Sequence, residues 1–289
     1  VILLTGATGQ VGTALRPLLA DLDEVVAPAR AAFDLATPLA LPDLLDRWRP
    51  TVVVNCAAWT DVDAAETHED VATTVNGTAV ATLATWAADN DAWLLTLSSD
   101  YVFPGTGDRP LLEDDVPDPV NAYGRSKLVG EQAAVASGAA LVVRTSWLLS
   151  ATHPNFVRTI LALLARGEDP AVVDDQHGSP TIVADLARAL ADLLARRPVG
   201  ILHLANSGAT TWWGLAREAA RLAGFDATRV HPVATTDRPP RLATRPAWSV
   251  LGSSRIDALG IPPLPAWQDS LPQVVAGAGH RAHGRAPGT

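Results

Sequence analysis

The first twenty residues restrict the fold more than any other part of the chain. Val1 to Thr5 is a short run of strand-forming residues, and it leads straight into Gly6-Ala7-Thr8-Gly9-Gln10-Val11-Gly12. A helical pattern, Gly12 to Ala20, follows at once. Glycines spaced G-x-x-G-x-x-G between a strand and a helix allow a tight turn. They also let the backbone approach a pyrophosphate, whose charge then meets the helix N-terminus. Gly6, Gly9 and Gly12 therefore predict a dinucleotide site at the first strand–helix junction.

The same alternation continues. Strands are expected at Glu24–Ala27, Thr51–Cys56, Trp93–Leu97 and Ala140–Thr145. Helices are expected at Leu39–Trp48, Asp70–Asp89 and Tyr123–Ala136. Nearly continuous apolar strands separated by helices predict an α/β fold: a doubly wound parallel sheet of Rossmann type, covered on both faces. After Trp147 the pattern loosens. Helices at Asn155–Arg166, Val183–Ala195 and Trp212–Ala223, with Pro/Arg-rich loops at Pro232–Pro246 and Ile261–Pro265, predict a smaller substrate-binding lobe. The division expected is 1–147 for the dinucleotide-binding domain and 148–275 mainly for the lobe, with strand Gly200–Leu204 returning to the main sheet. From Ala276 to residue 289 a Gly/Ala/His/Arg-rich tail reads as disordered.

Composition excludes several classes. A formal charge of −9 argues against nucleic-acid binding. No window approaches the roughly 18 uninterrupted apolar residues of a membrane span. The single cysteine, Cys56, rules out an internal disulfide and fits a reducing, cytoplasmic setting. No basic segment precedes the first strand, so export is not indicated. His153, His177 and His203 are too dispersed for a zinc site, and no metal is expected.

The second strand of a dinucleotide fold usually ends in an acid that holds a ribose 2′-hydroxyl. Here the run is Ala27-Pro28-Ala29-Arg30. Arg30 is suited to a 2′-phosphate, which favours NADPH slightly over NADH. Asp34 and Leu35 follow and are placed for the adenine side.

Lys127 is the only lysine in 289 residues, and Tyr123, four residues before it, is one of two tyrosines. On a helix, i and i+4 share a face. An ammonium beside a phenol is expected to lower its pKa from about 10 toward working pH. Strand Trp93–Leu97 runs into Ser98-Ser99-Asp100-Tyr101-Val102-Phe103. Ligands of doubly wound sheets bind at the carboxyl ends of strands, so Ser99 is placed to hydrogen-bond a carbonyl.

Ser99, Tyr123 and Lys127 together resemble the proton-handling set of the short-chain dehydrogenases/reductases. The glycine spacing and the second lobe are similar to the extended branch of that family, which acts mainly on nucleotide sugars. Within it, the chain resembles the dTDP-4-dehydrorhamnose reductases over about residues 1–270. The likeness is carried by Asn55 to Glu66, Ser98 to Gly107, Arg144-Thr145-Ser146-Trp147 with Asn155-Phe156, Asp175 to Thr181, and Arg245-Pro246 with Ser249 and Leu251. It implies NAD(P)H-dependent reduction of the C4 ketone of a dTDP-4-dehydro-6-deoxy-L-hexose.

By the same resemblance, Gly9, Gln10 and Val11 contact the pyrophosphate, and Ala58, Trp59 and Thr60 line the cofactor. Ser99 and Asp100 touch the sugar, Tyr101 and Trp147 pack on the sugar or its nucleotide, and Asn155 and Phe156 are substrate-side. Tyr123 donates the proton, and Lys127 tunes it and reaches the nicotinamide ribose. A homodimer is compatible with the family, though the acidic residues of its metal-linked dimer are not found here. Two alternatives remain open at this point: a sister 4-ketosugar reductase making another deoxysugar, and a non-catalytic NADP-binding regulatory subunit. A dehydratase is disfavoured, because Asp100 is followed by Tyr101 instead of glutamate.

Overall fold

The computed structural model describes residues 1–279. Six strands form one all-parallel sheet: β1 (Ile2–Thr5), β2 (Val25–Val26), β3 (Val52–Asn55), β4 (Trp93–Ser99), β5 (Ala140–Thr145) and β6 (Gly200–His203). Their spatial order is β6-β5-β4-β3-β1-β2. Strand order reverses between β1 and β3, and the crevice at such a switch point is where these sheets bind ligands.

Side-chain alternation along the strands builds two cores. Ile2 and Leu4, Val52 and Val54, and Leu95 face one way. They pack on helix α1 (Gln10–Ala20), through Leu15 and Leu19, and on a later helix, Val183–Arg196. Leu3, Val53, Leu94 and Val142 face the other way. There they meet α2 (Leu41–Trp48) and the helix Ala79–Asp89. Both faces are dry, which is why the strands read as continuous apolar runs.

The helix expected over Asp70–Asp89 is broken into α3 (Glu69–Thr73), a π-helical turn Thr74–Thr78 and α4 (Ala79–Asp89). The π turn carries Asn76, whose side chain is claimed by partners outside the helix. The strand expected at Glu24–Ala27 contracts to Val25–Val26 at the sheet edge. Next come α5 (Ala122–Ala136) and, after β5, α6 (Phe156–Ala165), α7 (Val183–Arg196), α8 (Trp212–Leu222) and α9 (Trp267–Gly279); α6, α8 and α9 build the small lobe, whereas α7 returns to cover the main sheet beside α1. Leu149, Val157, Leu161, Leu215, Leu271 and Val274 form the lobe's core. Residues 276–279 complete the last turn of α9, so the tail expected to begin at Ala276 is helical that far; its remainder lies outside the described residues. Among the described residues, no helix is long and apolar enough to cross a membrane.

Candidate active site

The glycine turn is shaped by contacts that leave no room for a side chain. Gly6 has φ +65°, and a Cβ there would lie 2.6 Å from the Ala57 backbone nitrogen. A Cβ on Gly12 would overlap the Gly6 carbonyl oxygen. Gly12 thus holds the turn closed and does not line the cleft, whereas Gly6, Gly9, Gln10 and Val11 do. Gly9 caps α1 without a side-chain hydrogen bond, so the first N–H groups of α1 face the cleft as an anion site.

The cleft has a volume of about 790 Å³, within the range of roughly 300–1,000 Å³ typical of ligand sites. Arg30, Asp34 and Leu35 line one end, and Ala58, Trp59 and Thr60 another wall. Arg30 is exposed and its Nε stands 3.4 Å from Asp34 Oδ1. Of the buried side-chain polar atoms without a partner among the described residues, two, Gln10 Oε1 and Ser98 Oγ, belong to residues that line this cleft. Buried polar groups are rarely left so in a native fold. Unpaired polar atoms and a bare helix N-terminus fit a long, anionic, polar cofactor. His153, from the small lobe, closes one side, with Nε2 3.1 Å from the Thr8 carbonyl oxygen.

A second cavity of about 190 Å³ adjoins the first. Thr60, Val62, Ser99, Asp100, Tyr101, Tyr123, Trp147 and Trp212 line it. Tyr123 and Thr60 belong to both cavities, Lys127 only to the cofactor cleft, and Ser99 only to the smaller pocket. The phenol therefore stands in the partition between them.

α5 sets that position. Asn121 caps the helix, accepting from Gly124 N at 2.8 Å, and its amide donates to the Thr244 carbonyl at 2.9 Å. Ser99 Oγ donates to Asp100 Oδ1 at 2.9 Å and accepts from Tyr101 N at 3.2 Å. Asp100 is buried, and Oδ2 has no partner. The Ser249 hydroxyl is close enough to favour the ionised form, but it donates to the His177 carbonyl at 3.4 Å. Burial wins and pushes the Asp100 carboxyl up to about 6. Tyr101 packs edge-on against Tyr123, ring centroids 5.8 Å apart. Its phenol lies above the ordinary range, through burial and the Asp100 charge.

One expectation is overturned here. Tyr123 is pushed up to about 12, chiefly by burial; the Ser99 hydroxyl draws it down and the Asp100 charge opposes that. The Lys127 ammonium donates to the Leu97 carbonyl at 3.2 Å. Burial lowers Lys127 to about 8, with the Glu131 charge opposing. Sharing a helix face did not make the amine lower the phenol's pKa, because desolvation is the larger influence on both.

Two more placements differ from expectation. Asn155 caps α6, accepting from Arg158 N at 3.3 Å. Phe156 packs on Trp212 at a centroid distance of 4.6 Å. Neither lines the sugar-sized pocket; they support its wall. That wall is Trp147 stacked on Trp212, centroids 3.6 Å apart and 8° from parallel.

Sequence reasoning missed Trp212 as a lining residue, because nine tryptophans give no ranking. It also missed Asn76. That side chain accepts from Trp59 N at 2.9 Å and donates to the Trp59 carbonyl at 3.0 Å and to Ser126 Oγ at 2.9 Å. It fixes the cofactor-lining loop to the helix of Tyr123. A lone asparagine in an alanine-rich helix was the available signal.

A parallel doubly wound sheet with a glycine turn at its switch point, and a Ser/Tyr/Lys set between two cavities, defines a nucleotide-cofactor oxidoreductase fold of the extended short-chain dehydrogenase/reductase kind. The family model described as "RmlD substrate binding domain" matches residues 1–279. A dTDP-4-dehydrorhamnose reductase of Streptomyces griseus is 44% identical, over 99% of this chain and 96% of the relative. A dTDP-4-keto-6-deoxy-D-glucose reductase of Streptomyces niveus is 41% identical, over 94% and 95%. The crystal structure of a Bacillus anthracis dTDP-4-dehydrorhamnose reductase in complex with NADP superposes with a TM-score of 0.90 at 31% identity, covering 95% of this chain and 98% of that one. The chain belongs to the dTDP-4-dehydrorhamnose reductase family.

Proposed function

We propose that this protein reduces the C4 ketone of a dTDP-4-dehydro-6-deoxy-L-hexose with NADPH or NADH, converting dTDP-4-dehydrorhamnose to dTDP-L-rhamnose. The observation that carries the reading is Tyr123 in the shared wall of the two cavities, with Ser99 on one side and Lys127 on the other. The reduced nicotinamide, when bound, supplies hydride to the carbonyl carbon. Gly9, Gln10 and Val11 hold the pyrophosphate over the α1 N-terminus, and Arg30 meets a 2′-phosphate. In the resting site Ser99 gives its one hydroxyl proton to Asp100 Oδ1; with the sugar bound it turns that proton to the carbonyl oxygen and orients it. Tyr123 gives its proton to that oxygen as negative charge develops, and Lys127 supports the phenolate left behind. Asp100 holds the Ser99 hydroxyl, while the Trp147 indole offers the sugar an apolar plane.

The Streptomyces niveus relative, named for a different 4-ketosugar, favours a second reading: the same reduction on another deoxysugar. A homodimer and a cytoplasmic setting belong to the same proposal, the first to be checked by sedimentation.

The test is to mix the protein with dTDP-4-dehydro-6-deoxy-L-mannose and NADPH, then NADH, and follow the reduced-nicotinamide absorbance with product identification by NMR. Oxidation yielding dTDP-L-rhamnose supports the first reading. Oxidation only with another dTDP-4-ketosugar moves the assignment to the second. Cofactor binding without turnover on any such sugar points to a regulatory subunit. Tyr123→Phe should lose about 10²–10⁴-fold in kcat, the usual worth of a general acid, with cofactor affinity unchanged. Turnover near wild type in that variant refutes the proton-donor role.

A further inference from the structure

The loop between β5 and α6 is braced from behind and reaches forward with one side chain. Asn155 Nδ2 donates to the Ser150 carbonyl at 2.6 Å and to the His153 carbonyl at 3.0 Å. Arg158 Nη1 donates to the Ala151 carbonyl and, on α9, to the Gly277 carbonyl, each at 2.9 Å. The loop backbone is thereby tied to the lobe's own helices. The His153 ring crosses from it to the glycine turn, 145 residues away in sequence.

Nε2 of that ring faces oxygen: the Thr8 carbonyl at 3.1 Å and Thr13 Oγ1 at 3.5 Å. A carbonyl accepts and cannot donate, and the Thr13 hydroxyl gives its proton to the Ala7 carbonyl at 3.3 Å. Nε2 therefore carries a proton. Nδ1 stands 3.0 Å from Thr152 Oγ1, which can donate to it. The ring is thus an N–H donor fixed on the lobe and aimed at the residue that precedes Gly9. His153 lines the cofactor cleft together with Thr8, Gly9, Gln10 and Val11. Both acceptors that Nε2 now faces are neutral, and a phosphate oxygen is a stronger one.

We propose that His153 is a cofactor-binding residue: on loading, its Nε2–H passes from the Thr8 carbonyl to the pyrophosphate held by the Gly9–Val11 backbone. The small lobe then supplies part of the dinucleotide site. The proposal rests on the cofactor site given above and deepens it. Only the difference between the two acceptors counts toward affinity. A ring that kept the Thr8 carbonyl in both states would stabilise empty and loaded protein alike and add nothing to binding.

Calorimetric titration of the full chain with NADPH and, separately, with NADH tests it. His153→Phe keeps a ring and removes the N–H. It should weaken both cofactors by the same factor, about 10-fold, the gap between a neutral and a charged acceptor. His153→Gln offers an amide N–H in place of Nε2 and should keep most of the affinity. Equal affinity in His153→Phe and wild type overturns the proposal and leaves the cofactor site standing. A loss with NADPH alone also overturns it, since the effect would follow the 2′-phosphate. An equal loss in His153→Gln and His153→Phe does the same, since it would follow the packing of the ring and not its proton. No binding of either cofactor by the wild-type chain takes down the cofactor reading itself, and this proposal with it.

Discussion

Replacing Asp100 by asparagine should make the fold more stable at neutral pH while impairing the site. The sign follows from the shift. The carboxyl titrates near 3.8 in the unfolded chain and at about 6 in the fold, because burial penalises its charge. A group whose folded pKa is raised contributes stability that is fully present below the unfolded value. That stability is lost as pH climbs through the folded value. The window here runs from 3.8 to about 6. A shift of about 2 units, at 1.36 kcal/mol each, corresponds to roughly 3 kcal/mol lost by neutral pH. Asparagine does not ionise, so it escapes that loss. Its own cost is the amide nitrogen standing where Oδ2 has no partner, about 1–3 kcal/mol at every pH. The constant cost cancels when wild type and variant are compared across pH, and the pH-dependent part remains. Urea unfolding of both proteins at intervals from about pH 3 to about pH 8 should show the variant gaining about 3 kcal/mol relative to wild type, nearly all of it by about pH 7. In turnover the variant should lose about 10-fold in kcat/KM, since Ser99 Oγ exchanges a charged acceptor for a neutral one. A stability difference that stays flat across the window would falsify the argument that burial holds this carboxyl up.

Two other perturbations read the support of the site. A Cβ at Gly178 would overlap the Trp147 indole, so Gly178→Ala should cost about 1–3 kcal/mol of stability by overpacking and raise KM for the sugar while leaving NADPH affinity alone; an unchanged KM would remove Trp147 from the sugar wall. Arg144 and Glu131 are a buried pair joined at 2.6–3.1 Å, so Glu131→Gln should cost about 3–5 kcal/mol in thermal or urea unfolding by stranding the guanidinium; a loss below about 1 kcal/mol would mean that His203 and the Phe103 face already satisfy Arg144.

What the sequence made legible is what depends on near neighbours and on burial of both sheet faces. Six strands and the glycine turn could be read because parallel strands are apolar throughout and because the turn's steric demand is local. The break in the helix over Asp70–Asp89 could not, because it answers to Asn76 reaching Trp59 and Ser126, which lie on other elements. Trp212 was invisible for a similar reason. Its role comes from stacking on Trp147 across the lobe, and nothing in its own surroundings marks it apart from the neighbouring Trp213, which donates to the Val230 carbonyl instead. Asn155 and Phe156 were placed at the substrate by resemblance. Geometry puts them behind the wall of the smaller pocket, as a helix cap and as the edge of the aromatic stack.

The spacing of Tyr123 and Lys127 was legible, but the direction of the phenol's shift was not. Spacing reports proximity, whereas a pKa answers to all of the surroundings. The difference bears on the chemistry. A phenol held at about 12 carries its proton throughout the neutral range, and a proton in place is what the reduction of a ketone requires at the moment oxygen becomes charged. A lysine lowered to about 8 is still mainly charged at neutral pH. It is kept so by Glu131 one turn along the helix, and it is anchored by the Leu97 carbonyl at the end of β4. Lys127 need not acidify Tyr123 in the resting protein. Under the proposed mechanism it needs only to be a buried, compact cation when the phenolate appears, so that the charge left by proton transfer is met in a site of low polarity. A guanidinium is larger and planar, and the space beside the Leu97 carbonyl is buried. On this argument the one position that kept lysine in an arginine-using chain is the one where the shape of the cation decides whether it fits.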